Sequence, residues 1–435
     1  MNRGKQDLRS LLFWVLLSLV TTICIVFPHT GLLPGTGRDL FIDEAIFMDS
    51  AASFFEKGWV TIRGSNLAFD AWVTSGIFGS LIPGAATLLS GSYAWGRLFS
   101  GLQNALVLGL LSWVLIQTRS PHRIGLLFLA FAFLIPALPA TLIYNHGEVL
   151  SFTALALGAF LYAERERAIW AGLLFALAIH LKLIALVSLV GGLGLFCGCQ
   201  LLNRRSLRNV FLPLLKTGAT VVLCALIWLA YQYLLAPSAE EYVQSWQHYR
   251  NIVITAGSGL SGKTGIGSRW LLFTTLAGGI GAMSALGKWT TAILILAPLG
   301  GLLRSLRPVP KMLLLIAGAS LAHSLWWLMK SDAAWIRHGY VGLLGGAMWL
   351  AWLVSRFLGW RKGLVPQPYA LSAACLLLVV ALKTLAGWRE LGQHTPRCPP
   401  DLIHRYCEPE GNPLVYRSWK LPTSAQKTDL PIISK

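Results

Sequence analysis

Long apolar runs separated by short charged turns dominate the chain. Runs able to cross a hydrocarbon core of about 30 Å lie near 11–27, 97–117, 123–143, 148–163, 168–181, 183–199, 210–235, 287–303, 312–329, 339–355 and 369–386. They predict an all-α polytopic membrane protein with about 11 transmembrane helices. Two stretches need a decision. Residues 168–199 as one helix would measure about 48 Å, so a tight hairpin turning near Lys182 is expected. Residues 270–303 are also too long for one crossing, and 271–286 reads as re-entrant or interfacial. The first run ends in Ile23-Cys24-Ile25-Val26-Phe27-Pro28 without a small-residue cleavage pattern, so it reads as a retained helix.

A different period occupies residues 41–58. Phe41, Ala45, Met48, Ala52 and Phe55 recur at helical spacing and Gly58 ends the run, which predicts an interfacial helix. At 100° per residue, Asp43, Ser50 and Lys57 fall opposite that stripe and Glu44 falls near its edge. The two adjacent acids therefore cannot share one role. Asp43 either caps the helix, with Glu44 favouring its first turn electrostatically, or serves as a base at the membrane surface that takes the proton of an acceptor hydroxyl or amine.

Composition agrees with the pattern. Only 12% of the 435 residues are charged and 55% are hydrophobic, against about 25% charge in soluble chains. The net charge of +18 would suggest nucleic acid in a soluble protein. Here the Lys and Arg concentrate in the N-terminal segment and in alternate short loops (Arg119 and Arg123; Arg165 and Arg167; Arg204, Arg205 and Arg208; Arg304, Arg307 and Lys311; Arg356, Arg361 and Lys362). That alternation places the N-terminus in the cytoplasm and excludes a nucleic-acid partner. On the same side lie Asp7, Glu164 and Glu166 alone among the 18 acids. The outer side is the elaborate one: a first loop over 28–96, a second over 236–288 and a tail over 387–435, around a transmembrane domain spanning 1–386. Of seven Cys, only Cys398 and Cys407 suggest a disulfide, and Cys197-Gly-Cys199 lacks the second pair of a zinc site.

Several short segments, taken in order, resemble the membrane-embedded GT-C glycosyltransferases, in particular relatives of the protein O-mannosyltransferases and of the lipid A aminoarabinose transferase. They are the Asp43-Glu44 pair after one N-terminal helix; Thr74-Ser75-Gly76 running through Leu81-Ile82-Pro83 toward Gly91; Trp95-Gly96-Arg97 through Leu102; Gly147-Glu148; and Ala171-Gly172-Leu173 through Lys182. The similarity covers roughly the first 200 residues. The chain departs from it at Ile77-Phe78, where the family often has Pro-Pro, and at Leu183, where Gly or Pro is usual. The resemblance implies transfer of a sugar from a polyprenyl phosphate to a lipid, glycan or protein acceptor on the extracytoplasmic side, with inversion at the anomeric carbon. It implies an interfacial helix over 71–92, and a multi-pass location in a bacterial plasma membrane.

In that light the charges at membrane depth acquire roles. An ionised side chain within the bilayer costs about 2.5–3.5 kcal/mol on insertion scales, so Glu148 and Lys182 either pair with one another or line a cavity. On the functional reading Lys182 neutralises the donor phosphate, and Glu148 orients the sugar or Lys182. Arg97 and Arg337 stand at outer helix ends, where they either anchor the interface or bind phosphate bidentately. Trp335-Ile336-Arg337-His338 resembles the late Arg-aromatic step of these transferases, and His338 is either a substrate-orienting group or a core histidine. Glu44 and Asp70 would organise the acceptor or a divalent cation, with His146 or His248 within conceivable reach. No i,i+4 histidine pair specifies a metal.

Gly257-Ser258-Gly259-Leu260-Ser261-Gly262-Lys263-Thr264 matches the phosphate-loop pattern after the strand-like Ile252-Val253-Ile254-Thr255. Its predicted outer location and the weak helix that follows argue for a loop, one whose backbone N–H groups could still cradle a lipid phosphate. The rival to a transferase is a transporter or flippase of polyprenyl-linked glycans. It would want related halves and midplane charges, whereas the acids here gather at one face.

Overall fold

The computed structural model describes residues 2–33, 42–58, 77–118, 121–135, 138–144, 147–203, 206–255, 283–303, 309–330, 339–360 and 368–391. Among them there are fifteen α-helices, one 3-10 turn and no extended strand. The order is α1 (Asn2–Thr30), α2 (Ile42–Lys57), the 3-10 turn Ile77–Gly79, α3 (Leu81–Ser90), α4 (Tyr93–Gln117), α5 (Arg123–Leu134), α6 (Leu138–Tyr144), α7 (Glu148–Ala163), α8 (Ala168–Leu181), α9 (Ala185–Leu202), α10 (Leu207–Leu235), α11 (Ala239–Thr255), α12 (Met283–Leu303), α13 (Lys311–Lys330), α14 (Tyr340–Trp360) and α15 (Pro368–Leu391).

Seven of these are long and apolar enough to span a membrane alone. The shorter α5–α6 pair, α7, α8 and the apolar part of α12 complete the eleven crossings. The run over 123–143 is broken rather than continuous. Ile135 is extended at φ −57 and ψ 126, because the residue before a proline, here Pro136, is pushed out of the helical region. The 271–286 segment divides: 283–286 belong to α12, whose 21 residues span about 31 Å as one crossing, and the rest lies outside the described residues.

Side-chain contacts test the helix directions independently of hydropathy. Arg123 at the start of α5 donates to the Ser355 carbonyl at the end of α14, 2.9 Å from Nη2. The Met312 amide at the start of α13 donates to Glu164 in the α7–α8 turn at 3.0 Å. Both contacts join segments that the alternation of charge assigns to one side. Thr384 of α15 donates to the Cys24 carbonyl at 3.2 Å, and Gly387 packs on His29, so α1 and α15 run parallel. Gly191 and Gly192 of α9 pack against Gly318, Ala322 and Leu315 of α13 in antiparallel register. Every one of these directions agrees with eleven crossings.

Without a hydrophobic drive between helices in lipid, close approach of small residues holds such a bundle together. Gly101 meets Val26, and Gly109 meets the backbone of Trp14 and Val15, which seats α4 on α1. The core lies among α1, α4 to α9 and α12 to α14. By contrast α10 is largely lipid-facing, with Val210, Thr217 and Gln232 its buried residues.

Candidate active site

The segment between α1 and α4 builds a platform on α4. Helix α2 forms where the period predicts it and ends at Gly58, whose φ of +78 is open to glycine at no steric cost. Gly84 of α3 is in contact with Ala51, and its Cβ position lies 3.1 Å from the Met48 carbonyl, so α2 rests directly on α3. Thr87 of α3 donates to the Pro83 carbonyl at 2.9 Å and lies 3.4 Å from the Met48 sulfur, beside Gly96 of α4. A leucine at Gly84 would wedge the two helices apart, at the 1–3 kcal/mol typical of overpacking. Gly84→Leu is expected to remove activity while the bundle stays folded, which circular dichroism together with a transfer assay would check.

The helix meets the protein differently from its simple amphipathic reading. Met48 and Ala52 of the apolar stripe are buried, as expected, but Phe55 at the end of that stripe is half exposed, and Ser50 and Ser53 on the opposite face are buried. The polar face thus turns inward rather than to water, and the Ser53 hydroxyl has no hydrogen-bond partner. Phe55 lines an apolar cleft with Leu81, Ile82 and Leu89 of α3. Asp43 and Glu44 lie in the first turn of α2 by backbone. The side chains of Asp43, Glu44 and His248 lie outside the described residues, as do Asp70, His146, Arg337, His338, the 257–264 loop, Cys398 and Cys407.

Behind this platform three backbone segments converge. The Gln103 side chain of α4 donates to the Gly79 carbonyl at 3.0 Å. Ser100 and Asn104 donate to the Leu142 carbonyl at 2.9 and 2.8 Å, anchoring α6. A Cβ on Gly79 would sit 3.5 Å from the Gly147 Cα, and one on Gly147 would sit 3.0 Å from the Leu181 carbonyl. Gly147 also holds φ +76, so the start of α7 and the end of α8 can meet only with glycine there. Ser151, donating to the Ala178 carbonyl at 2.8 Å, repeats the contact one turn deeper.

That convergence brings Glu148 and Lys182 together. Lys182 Nζ is 3.1 Å from Glu148 Oε1, with the carboxylate 2% and the ammonium 25% exposed. The hairpin turns where expected: α8 ends at Leu181, Lys182 is extended, and α9 starts at Ala185. Fourteen residues make α8 about 21 Å long, shorter than a hydrocarbon core of about 30 Å. The ion pair is real by distance, yet neither carboxylate oxygen has an aligned hydrogen bond. Glu148 occupies the first turn of α7, where the helix dipole favours a negative charge.

Arg97 is fully buried in the first turn of α4, so its side chain does not anchor the lipid interface. It shares a face with Ser100 and Asn104. Its sequence neighbours Trp95 and Phe99 instead line an apolar cleft of about 530 Å³ with Phe55, Leu81, Ile82 and Leu89. The sequence reading missed an aromatic cluster on the other flank: Trp228 of α10 packs on Phe78 at 5.1 Å, His180 at 5.3 Å and Tyr231 at 5.4 Å. A tryptophan in the outer turns of an apolar run was the available signal, and it is not separable from ordinary interfacial belts. Among the described residues no three His, Cys, Asp or Glu side chains group as metal ligands. Residues Ile252 to Thr255 continue α11 as helix, so the strand that a phosphate loop requires is not there.

No family model matches the sequence, and no curated protein matches it. The fold does have a solved counterpart: the crystal structure of ArnT from Cupriavidus metallidurans bound to undecaprenyl phosphate superposes with a TM-score of 0.51 at 14% identity, over 88% of this chain and 72% of that one. The chain therefore shares its fold with that protein.

Proposed function

We propose, from that shared fold, that the protein is an inverting glycosyltransferase that takes a sugar from a polyprenyl phosphate and passes it to a lipid, glycan or protein acceptor at the extracytoplasmic face. The observation that carries the reading is the Glu148–Lys182 pair, a cation beside a buried carboxylate with no aligned hydrogen bond. An ionised pair inside an apolar helix bundle is expensive and points to function. A departing polyprenyl phosphate is the kind of anion that needs fixed cations as charge develops on it.

The parts then divide the chemistry. The prenyl chain lies along the apolar cleft beside Trp95 and Phe99, and the phosphate meets Lys182, with Arg97 and Arg337 adding donors. Glu148 keeps Lys182 in place and accepts from sugar hydroxyls, and His338 helps orient the sugar. Asp43, in the first turn of α2, takes the acceptor proton as the acceptor's oxygen or nitrogen attacks the anomeric carbon, while the bond from that carbon to the phosphate oxygen breaks. Glu44 and Asp70 organise the acceptor, directly or through a divalent cation. The fold of a protein solved with undecaprenyl phosphate supports the choice of donor class.

The experiment is direct. Purified protein in lipid nanodiscs, given undecaprenyl phosphate sugars and a membrane extract as acceptor, should release undecaprenyl phosphate in step with appearance of the sugar in a product. Transport of intact sugar-lipid across a vesicle without release of the phosphate would defeat the proposal.

A further inference from the structure

Helix α10 is mostly exposed to lipid, and Gln232 breaks that pattern. The residue is 0% exposed, and neither its amide oxygen nor its amide nitrogen has a hydrogen-bond partner. Burying an amide without partners costs about 1–3 kcal/mol on mutational scales, and the cost lies in leaving polar groups unmet. A leucine or methionine would fill the same place without that cost. One turn inward, on the same face by i,i+4 spacing, the indole N–H of Trp228 is also buried without a partner.

The register of α10 against α8 locates this pair. Gly172 of α8 packs on Thr217 and Thr220, and His180 meets Trp228, so the two helices run parallel. Gln232 lies one turn of α10 beyond the Trp228–His180 contact, and α8 ends at Leu181, so Gln232 stands past the end of α8, where the chain turns through Lys182. Phe78, which packs on Trp228, precedes the Gly79 that touches Gly147. The unmet polar groups therefore border the Glu148–Lys182 site on its α10 flank.

Their chemistry selects the ligand. An amide with neither end hydrogen-bonded, next to an indole N–H and flat ring faces, fits a pair of neighbouring hydroxyls carried on an apolar C–H surface. A sugar ring is such a group. A phosphate would meet the amide oxygen as a repulsive dipole, and a prenyl chain would leave the amide as unmet as before.

We infer that Gln232 and Trp228 read the hydroxyls of the transferred sugar and set the donor specificity of the enzyme. Gln232 accepts from one hydroxyl and donates to its neighbour, and the Trp228 N–H donates to a third oxygen. The inference rests on the proposed function, whose donor it specifies.

The test uses the full-length protein in nanodiscs and two kinds of probe: undecaprenyl phosphate alone, and undecaprenyl phosphate carrying glucose, galactose, mannose or arabinose. The wild type should bind at least one sugar-bearing lipid more tightly than the bare lipid. Gln232→Met should lose at least about tenfold on that lipid, as sites that hydrogen-bond a hydroxyl do when the match is broken, with bare-lipid affinity unchanged. Its melting temperature should rise, because an unmet buried amide has been removed. Trp228→Phe keeps a ring and deletes the N–H, and should lose about two- to tenfold on the same lipid. A Gln232→Met protein that binds both lipids as the wild type does, or loses both equally with a lower melting temperature, overturns the inference and leaves the amide structural. Absence of any sugar preference in the wild type overturns it too. Failure of the wild type to bind undecaprenyl phosphate at all would instead sink the polyprenyl-phosphate reading, and this inference with it.

Discussion

Asp43→Asn is expected to reduce transfer by about 10²–10⁴-fold, the range that a positioned general base contributes, with no fall in the amount of protein in the membrane. Asparagine keeps the shape and can still hydrogen-bond, but it cannot take the acceptor proton. The helix-dipole contribution lost with the charge is only about 0.3–1 kcal/mol, too little to unfold the outer loop. Glu44→Gln supplies the comparison. Glu44 sits a residue later, about 100° around the helix, so it should lose less, and more through acceptor KM than through kcat. Equal activity of Asp43→Asn and wild type would remove Asp43 from the mechanism and leave it a first-turn acid.

The second large effect belongs to Lys182. Lys182→Met is expected to weaken binding of undecaprenyl phosphate by about 10–100-fold, since a charge-assisted contact to phosphate in a low-dielectric site is lost. It should also destabilise the protein, because Glu148, 2% exposed, would keep its charge without the ammonium beside it. Adding Glu148→Gln removes that charge. The double variant should recover thermal stability and not affinity, which separates the structural part of the pair from the phosphate-binding part. Recovery of affinity in the double variant would assign the pair to packing alone. Stability measured by thermal unfolding in nanodiscs, and affinity by competition with labelled lipid, read the two effects independently.

The helix-forming pattern was legible because each crossing obeys a local rule. A run of apolar residues must satisfy its own backbone hydrogen bonds in lipid, and this needs no knowledge of its neighbours. The hairpin at Lys182 followed from length alone. The broken α5–α6 segment was less legible, although Pro136 was in view, because membrane helices often tolerate proline. The inward polar face of α2 was not legible at all. An amphipathic period says that a helix has two faces; α3 covers one of them at Met48 and Ala51, and the burial of Ser50 and Ser53 on the other is a tertiary matter that the period does not contain. The strand-like Ile252 to Thr255 shows the same limit, since β-branched residues in a short run yield to the helix that precedes them.

For the candidate site, residue chemistry pointed to Glu148 and Lys182 because ionisable groups in apolar runs are expensive wherever they stand. It left open whether they met. They are 34 positions apart, and their contact depends on Gly147 passing against the Leu181 carbonyl. Gln232 drew no notice, because a glutamine near the end of an apolar run is normally free to reach water; only the tertiary structure buries it. Hydropathy period, run length and the imbalance of basic residues between loops sufficed for the number of crossings and their alternation, since those are one-dimensional constraints imposed by the bilayer. The meeting of α7 with α8 at Gly147, the packing of α10 along α8, and the burial of an amide on α10 were settled by helix-to-helix contacts between distant segments, where a single glycine fixes the approach.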